Sequence, residues 1–269
     1  MPVTRRSLST TPYRVGNVAF GAAVAGVRPP PPAAVPGALP AATTTYRTEH
    51  TLYPTQAARV NHGVNPPVAG DARSTITGPA LAAGGDTIFL KYFDDHITSV
   101  LLPTPAPAGV VFFVTDNLTG CRFYVDRITA GGAGLVVYHA NTHQHSAGAG
   151  ADCDAQTLAA TQLLDQMHQA AQQDYAALGF TLNNVASCAK PDYYQLAGDA
   201  ERRKRLQGRT AGPTLGSPAG VAFVGGTTVA GFPSGNTWEF WYQTYGMLDY
   251  SRPDVGNWKS FRTGHWNYL

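Results

Sequence analysis

The segment from Val114 to Asn141, VTDNLTGCRFYVDRITAGGAGLVVYHAN, holds the residues best suited to chemistry. Cys121 stands just before one β-rich run, Arg122 to Ile128, and His139 closes the next, Leu135 to His139. The Gly-rich stretch TAGGAG between the runs reads as a hairpin turn. Partners across an antiparallel hairpin have position numbers that sum to a constant. A turn centred near Ala130 or Gly131 therefore makes Cys121 and His139 cross-strand partners or near-partners. Directly opposed side chains have Cβ atoms about 4.5–5.5 Å apart, whereas a slip of one residue would send the two to opposite faces. A thiol beside an imidazole is the minimal nucleophilic pair. An unperturbed thiol is mostly protonated at neutral pH, and a neighbouring imidazolium is expected to lower its pKa and yield the thiolate. Gly120 would let a substrate approach the backbone closely, and the Gly120 and Cys121 amides could then face a developing oxyanion. Asn141 would share the face of His139 if the strand continued and could act as in Cys-His-Asn enzymes; it also fits an ordinary polar turn. The bland alternative for the pair is a buried strand cysteine and a histidine satisfied at a sheet edge.

The elements that must hold these residues are mainly strands. Short β-branched or aromatic runs occur at Thr87 to Phe93, Gly109 to Val114, Val221 to Val224 and Thr237 to Tyr242. One helix is expected from about Asp154 to Leu178, with Asp154 as its cap, Gly179 as its stop, and Ala160, Leu164, Met167, Ala171, Tyr175 and Leu178 as its apolar face. Glu201 to Gln207 reads as a second short helix. Many strands and few helices, without βαβ alternation, predict an α+β fold: a mixed β-sheet sandwich with flanking helices. Residues 1–45 contain the Pro- and Ala-rich run RPPPPAAVPGALPAATTT and read as a disordered leader, with 46–269 as a single catalytic domain. Charged residues make up 13% of the chain and the net charge is +2, which argues against both a disordered chain and a nucleic-acid-binding surface. No run of eighteen apolar residues occurs, so no membrane span is expected. Three cysteines, Cys121, Cys153 and Cys188, are too few for a disulfide framework.

The motif Leu118-Thr119-Gly120-Cys121 resembles the Leu-Ser-Gly-Cys signature of the cytotoxic necrotizing factor catalytic domain and of Burkholderia lethal factor. Thr119 stands where that signature has Ser, keeping the hydroxyl. The family pairs its cysteine with a downstream strand histidine, here His139, at a somewhat longer separation than usual. In the lethal-factor branch a threonine six residues before the nucleophile belongs to the site, here Thr115. The resemblance covers about 30 of the 269 residues. It implies a toxin or effector, secreted and acting in the host-cell cytosol, that deamidates one glutamine of a host protein through a Cys-His thioester mechanism. The implied substrate is a small GTPase or a translation factor, the cofactor is none, and a monomer is expected. Transglutamination and proteolysis use the same pair and are not separated by the motif.

Two other readings compete. His139, His143 and His145 lie close together and could bind a metal ion in a hydrolase, but neither H-E-x-x-H spacing nor a paired C-x-x-C accompanies them. Trp238, Trp241, Trp258 and Trp266 lie in an aromatic C-terminal stretch that could form a non-catalytic binding module or fill a sandwich core. In TWEFWY, Trp238, Phe240 and Tyr242 should face one way, and Glu239 and Trp241 the other. The basic run Arg202, Arg203, Lys204, Arg205 and Arg209 reads as a solvated helix face, and Asp94 and Asp95 as adjacent carboxylates pointing apart.

Overall fold

The computed structural model describes residues 3–11, 13–18, 48–51, 59–60, 63–66, 74–78, 85–90, 97–118, 120–142, 153–177, 179–189, 226–248 and 259–268. They form an α+β sandwich of three mixed sheets with two described helices. A five-stranded sheet has the order β11 (Thr181–Cys188), β9 (Arg122–Ala130), β10 (Gly134–Ala140), β7 (Ile97–Pro103) and β2 (Thr48–Thr51). A six-stranded sheet has the order β14 (Lys259–Tyr268), β13 (Thr237–Leu248), β12 (Gly226–Ser234), β8 (Phe112–Thr115), β6 (Thr87–Leu90) and β3 (Arg59–Val60). A third sheet orders β1 (Tyr13–Val18), β5 (Ser74–Gly78) and β4 (Gly63–Asn65). The pairs β2–β7, β6–β8 and β1–β5 are parallel, and every other strand pair is antiparallel.

Strand alternation sorts the side chains into layers. On β9 and β10 the odd-numbered residues Phe123, Val125, Leu135 and Val137 meet Ile88, Leu90, Phe113, Val229, Trp238 and Phe240 of the six-stranded sheet, forming the central core. The even-numbered residues Tyr124, Val136 and Tyr138 turn the other way, onto the long helix α2 (Cys153–Ala177). Phe89, Phe112, Val114, Ala230 and Phe232, on the outer face of the six-stranded sheet, meet Val3, just ahead of the N-terminal helix α1 (Arg5–Thr10), Leu8 on that helix, and Tyr13, Val15 and Ile76 of the third sheet. Each large apolar side chain so enclosed contributes about 1.5–3 kcal/mol.

Helix α2 begins one residue before the expected start, so Asp154 lies in its first turn. Leu164, Met167, Ala171 and Tyr175 form the buried stripe, as their spacing requires. Gly179, at φ 91°, ends it in the left-handed conformation that only glycine adopts readily. Trp238 and Phe240 are core residues with Tyr242 packed beside them, while Trp241 packs on the opposite face. The Trp238 indole donates to the Pro103 carbonyl at 3.1 Å. Trp238 and Phe240 are enclosed between the sheets and offer no stacking surface to a ligand, while Trp258 and the Trp266 side chain lie outside what the structure describes.

The expectation of a disordered leader over residues 1–45 fails for its first part. Arg5–Thr10 is helical, Tyr13–Val18 pairs in parallel with β5, and Leu8 and Tyr13 are buried. Amide side chains substitute for ladder hydrogen bonds here. Gln243 donates to the Leu8 and Thr11 carbonyls at 2.6 and 2.7 Å and accepts from the Tyr13 amide at 2.6 Å. Asn117 accepts from the Val15 amide at 3.1 Å and donates to its carbonyl at 2.9 Å. Composition conceals this docking, because the partners lie more than a hundred residues away. The Pro-rich run, the strand expected at Val221 to Val224, the helix expected at Glu201 to Gln207, the basic run Arg202 to Arg209, and Asp94 and Asp95 all lie outside the described residues. Among the described residues no helix is long and apolar enough to cross a membrane.

Candidate active site

The site is built where the chain leaves the six-stranded sheet and enters the five-stranded one. Thr115 ends β8 on the face turned toward the central core, as does Phe113 two residues earlier. Leu118 then forms an isolated bridge to Thr227, with hydrogen bonds of 2.8 Å in both directions. Asn117 adds a bond from the Thr228 hydroxyl at 3.1 Å. The turn is thus fixed to β12 before the chain reaches Gly120 and Cys121. A Cβ placed on Gly120 would meet no atom within 4 Å, so there is open space beside the residue preceding the thiol. Thr119 lies outside the described residues.

The β9–β10 register pairs Phe123 with His139 and Arg122 with Ala140. The next position outward from Arg122 is Cys121, and from Ala140 it is Asn141. Cys121 is therefore opposite Asn141 and diagonal to His139, all three on the face of Phe123 and Val125. The hairpin is centred on Gly131, whose φ of 88° suits only glycine and where a Cβ would strike the Gly179 carbonyl.

Thr115, Cys121, His139 and Asn141 are all buried. Thr115 Oγ1 lies 2.6 Å from His139 Nδ1 and 2.9 Å from the Leu90 carbonyl oxygen. The hydroxyl has one proton, and the carbonyl can only accept it. Nδ1 must then carry the hydrogen that Thr115 accepts, which leaves the imidazole lone pair on Nε2. Thr115 thus fixes the tautomer that can act as a base. Burial pushes the His139 pKa down to about 3, so the ring is neutral at physiological pH. This differs from the expectation of a resting imidazolium beside the thiol: full enclosure disfavours the charged ring. Asn141 Nδ2 donates to Cys121 Sγ at 2.9 Å. Its amide reaches the sulfur, whereas in a Cys-His-Asn arrangement it would orient the imidazole.

On the reverse face of the same sheet lies a polar cluster that the sequence reading overlooked. Asp126, fully buried on β9, accepts from His168 Nε2 and Gln172 Nε2 of α2 and from Asn184 Nδ2 of β11, each at 2.9 Å. Burial pushes the Asp126 carboxyl up, but the His168 hydrogen bond and charge, with Asn184 and Gln172, outweigh it and hold the carboxyl below its ordinary value. His168 stacks on Tyr124 at 4.1 Å. Arg122 and the Tyr124 hydroxyl both donate to Asp165 Oδ1, at 2.9 and 3.0 Å. The available signal was a charged residue on an apolar strand face together with a histidine on the helical stripe of Leu164 and Tyr175. The cluster fastens α2 to the back of the strand that leads from Cys121.

His143 and His145 lie outside the described residues, and among the described residues no three His, Cys, Asp or Glu side chains group as metal ligands. No protein-family model matches the sequence, and no curated protein matches it. The family resemblance accordingly stands on Leu118 to Cys121, Thr115 and His139 alone.

Proposed function

We propose that this chain is a cysteine-dependent protein-glutamine glutaminase, a secreted toxin or effector acting on a host protein. The observation that carries the reading is the Thr115–His139 hydrogen bond. It joins the two sheets at the position of the motif threonine and leaves Nε2 as the basic nitrogen on the face that Cys121 shares. In the proposed reaction the Cys121 sulfur attacks the glutamine carboxamide carbon while His139 Nε2 takes the thiol proton. Amides at Gly120 and Cys121 hold the oxyanion. The C–N bond breaks, ammonia departs with the proton from His139, and a thioester remains. Water then gives a proton to His139 and its oxygen to the acyl carbon, releasing glutamate and restoring the thiol. The open space beside Gly120 suits the approach of an extended side chain. The proposed substrates are folded host proteins of the small-GTPase or translation-factor class.

The test is incubation of host-cell lysate with the protein and with Cys121→Ser, followed by peptide mass spectrometry. Conversion of one glutamine to glutamate by the wild type alone is expected. New peptide termini in place of that conversion would make the pair a protease, and unchanged lysate would remove the deamidase reading.

A further inference from the structure

We propose that Asn141, rather than a protonated His139, stabilises the negative charge that develops on the Cys121 sulfur. The inference rests on Cys121 being the nucleophile. Three observations lead to it. The β9–β10 register brings Asn141 directly opposite Cys121, one step beyond the Phe123–His139 and Arg122–Ala140 pairs. The Asn141 amide donates to the sulfur at 2.9 Å with both residues enclosed. His139 donates its Nδ1 hydrogen to Thr115 and rests neutral, so until it takes the thiol proton it offers the sulfur no cation.

Cys188 from β11 and Tyr242 from β13 are turned into this interior, and neither brings a positive charge. Arg122, next in sequence to Cys121, points through the sheet to Asp165 and Ser187. A thiolate accepts a hydrogen bond more strongly than a thiol does, so an N–H aimed at the sulfur favours the ionised form. An amide does this without titrating. The sulfur thereby becomes a better proton donor to His139 Nε2, and Asn141 itself exchanges no proton. The enclosure that deprives His139 of its charge also strengthens the amide's effect, because a dipole acts more strongly where water is excluded.

The experiment is a pH titration of thiolate ultraviolet absorbance, taken as the difference between a protein and the same protein carrying Cys121→Ser, so that Cys153, Cys188 and the tyrosines cancel. Asn141→Ala is expected to raise the Cys121 midpoint by about one pH unit or more, an approximately tenfold loss of thiolate at a fixed pH below it. Asn141→Asp preserves the side-chain shape and is expected to raise it further, because a carboxylate repels the thiolate. His139→Gln should move it much less than Asn141→Ala does. Thermal melts identify the variants that fold, and Asn141→Asp alone suffices if the alanine variant does not. Midpoints unchanged in both Asn141 variants, or a larger rise in His139→Gln, would overturn the assignment of Asn141. Failure of the nucleophile reading has a different signature: the Cys121→Ser protein would still convert glutamine in lysate, and the Asn141 proposal would lose its catalytic meaning with it.

Discussion

Acid should weaken this fold through His139, because burial holds the ring below the ordinary imidazole range. The ring is fully buried, and burial pulls its pKa to about 3 in the folded protein. In the unfolded chain it titrates near 6.5. Above about pH 6.5 neither state is protonated, and the group takes nothing from stability. Below that, the unfolded chain binds a proton that the folded protein refuses, and stability falls by about 1.4 kcal/mol per pH unit until the folded ring itself titrates. Between about pH 6.5 and 4.5 the loss comes to about 2.5 kcal/mol. Asp126 also loses its contribution in acid, but its lowered carboxyl places that window further down, below the ordinary carboxylate pKa. The perturbation is His139→Gln, which keeps polarity without titrating. Urea unfolding of both proteins across this range gives two stability curves. Their difference cancels the other histidines and should change by about 2.5 kcal/mol, the wild type losing more as acid is added. Parallel curves would mean that the folded protein accepts the proton, and the buried neutral base would have to be abandoned.

Thr115→Val keeps the side-chain shape but removes the hydroxyl between Leu90 and His139. Two-bond proton–nitrogen NMR should find the imidazole proton on Nδ1 in the wild type and on Nε2 in the variant, with glutamine conversion reduced about 100-fold or more. Asp126→Ala leaves the buried His168 donor, with those of the half-buried Gln172 and the exposed Asn184, without its acceptor and should lower stability by about 1–3 kcal/mol in urea unfolding; a loss below about 1 kcal/mol would show that the cluster does not anchor α2. Gln243→Ala removes three hydrogen bonds to residues 8–13. Faster amide hydrogen exchange at Tyr13 and a loss of about 1–3 kcal/mol are expected, while unchanged exchange would place the hold on this segment elsewhere.

The hairpin was legible because local chemistry encodes it: strand alternation from Arg122 and from Leu135, with glycines between, fixes which side chains share a face. The diagonal offset between Cys121 and His139 was harder to read, since turns centred on Ala130 and on Gly131 differ by two positions in cross-strand pairing. Helix α2 was legible for the same local reason, from the spacing of Leu164 to Tyr175 and the stop at Gly179. The contact between Thr115 and His139 belongs to tertiary structure: it joins two sheets, and only the family resemblance pointed to Thr115. The hairpin of β12 and β13 turns at Gly235 and Asn236, a Gly-Asn pair with Gly235 at φ 56°, which is a readable turn signal. Residues 5–18 were misread because their partners, Gln243 and Asn117, belong to distant parts of the chain.

The attachment of the nucleophile turn to β12 also sets a clock on synthesis. Asn117 and the Thr228 hydroxyl that holds it are 111 residues apart in sequence. At about 5–20 residues per second, a ribosome needs about 6–22 s to make the chain between them. Once His139 is made, Cys121 and His139 exist for most of that interval on a nascent chain whose motif loop can reach Val15 but not β12, so the hairpin that carries the thiol and the imidazole is made long before the strand that bridges to Leu118. A chain stopped ahead of Thr227 would retain every residue of the proposed machinery and still lack the bridge to Leu118, making residues 227 and 228 the point in translation at which the turn can first close.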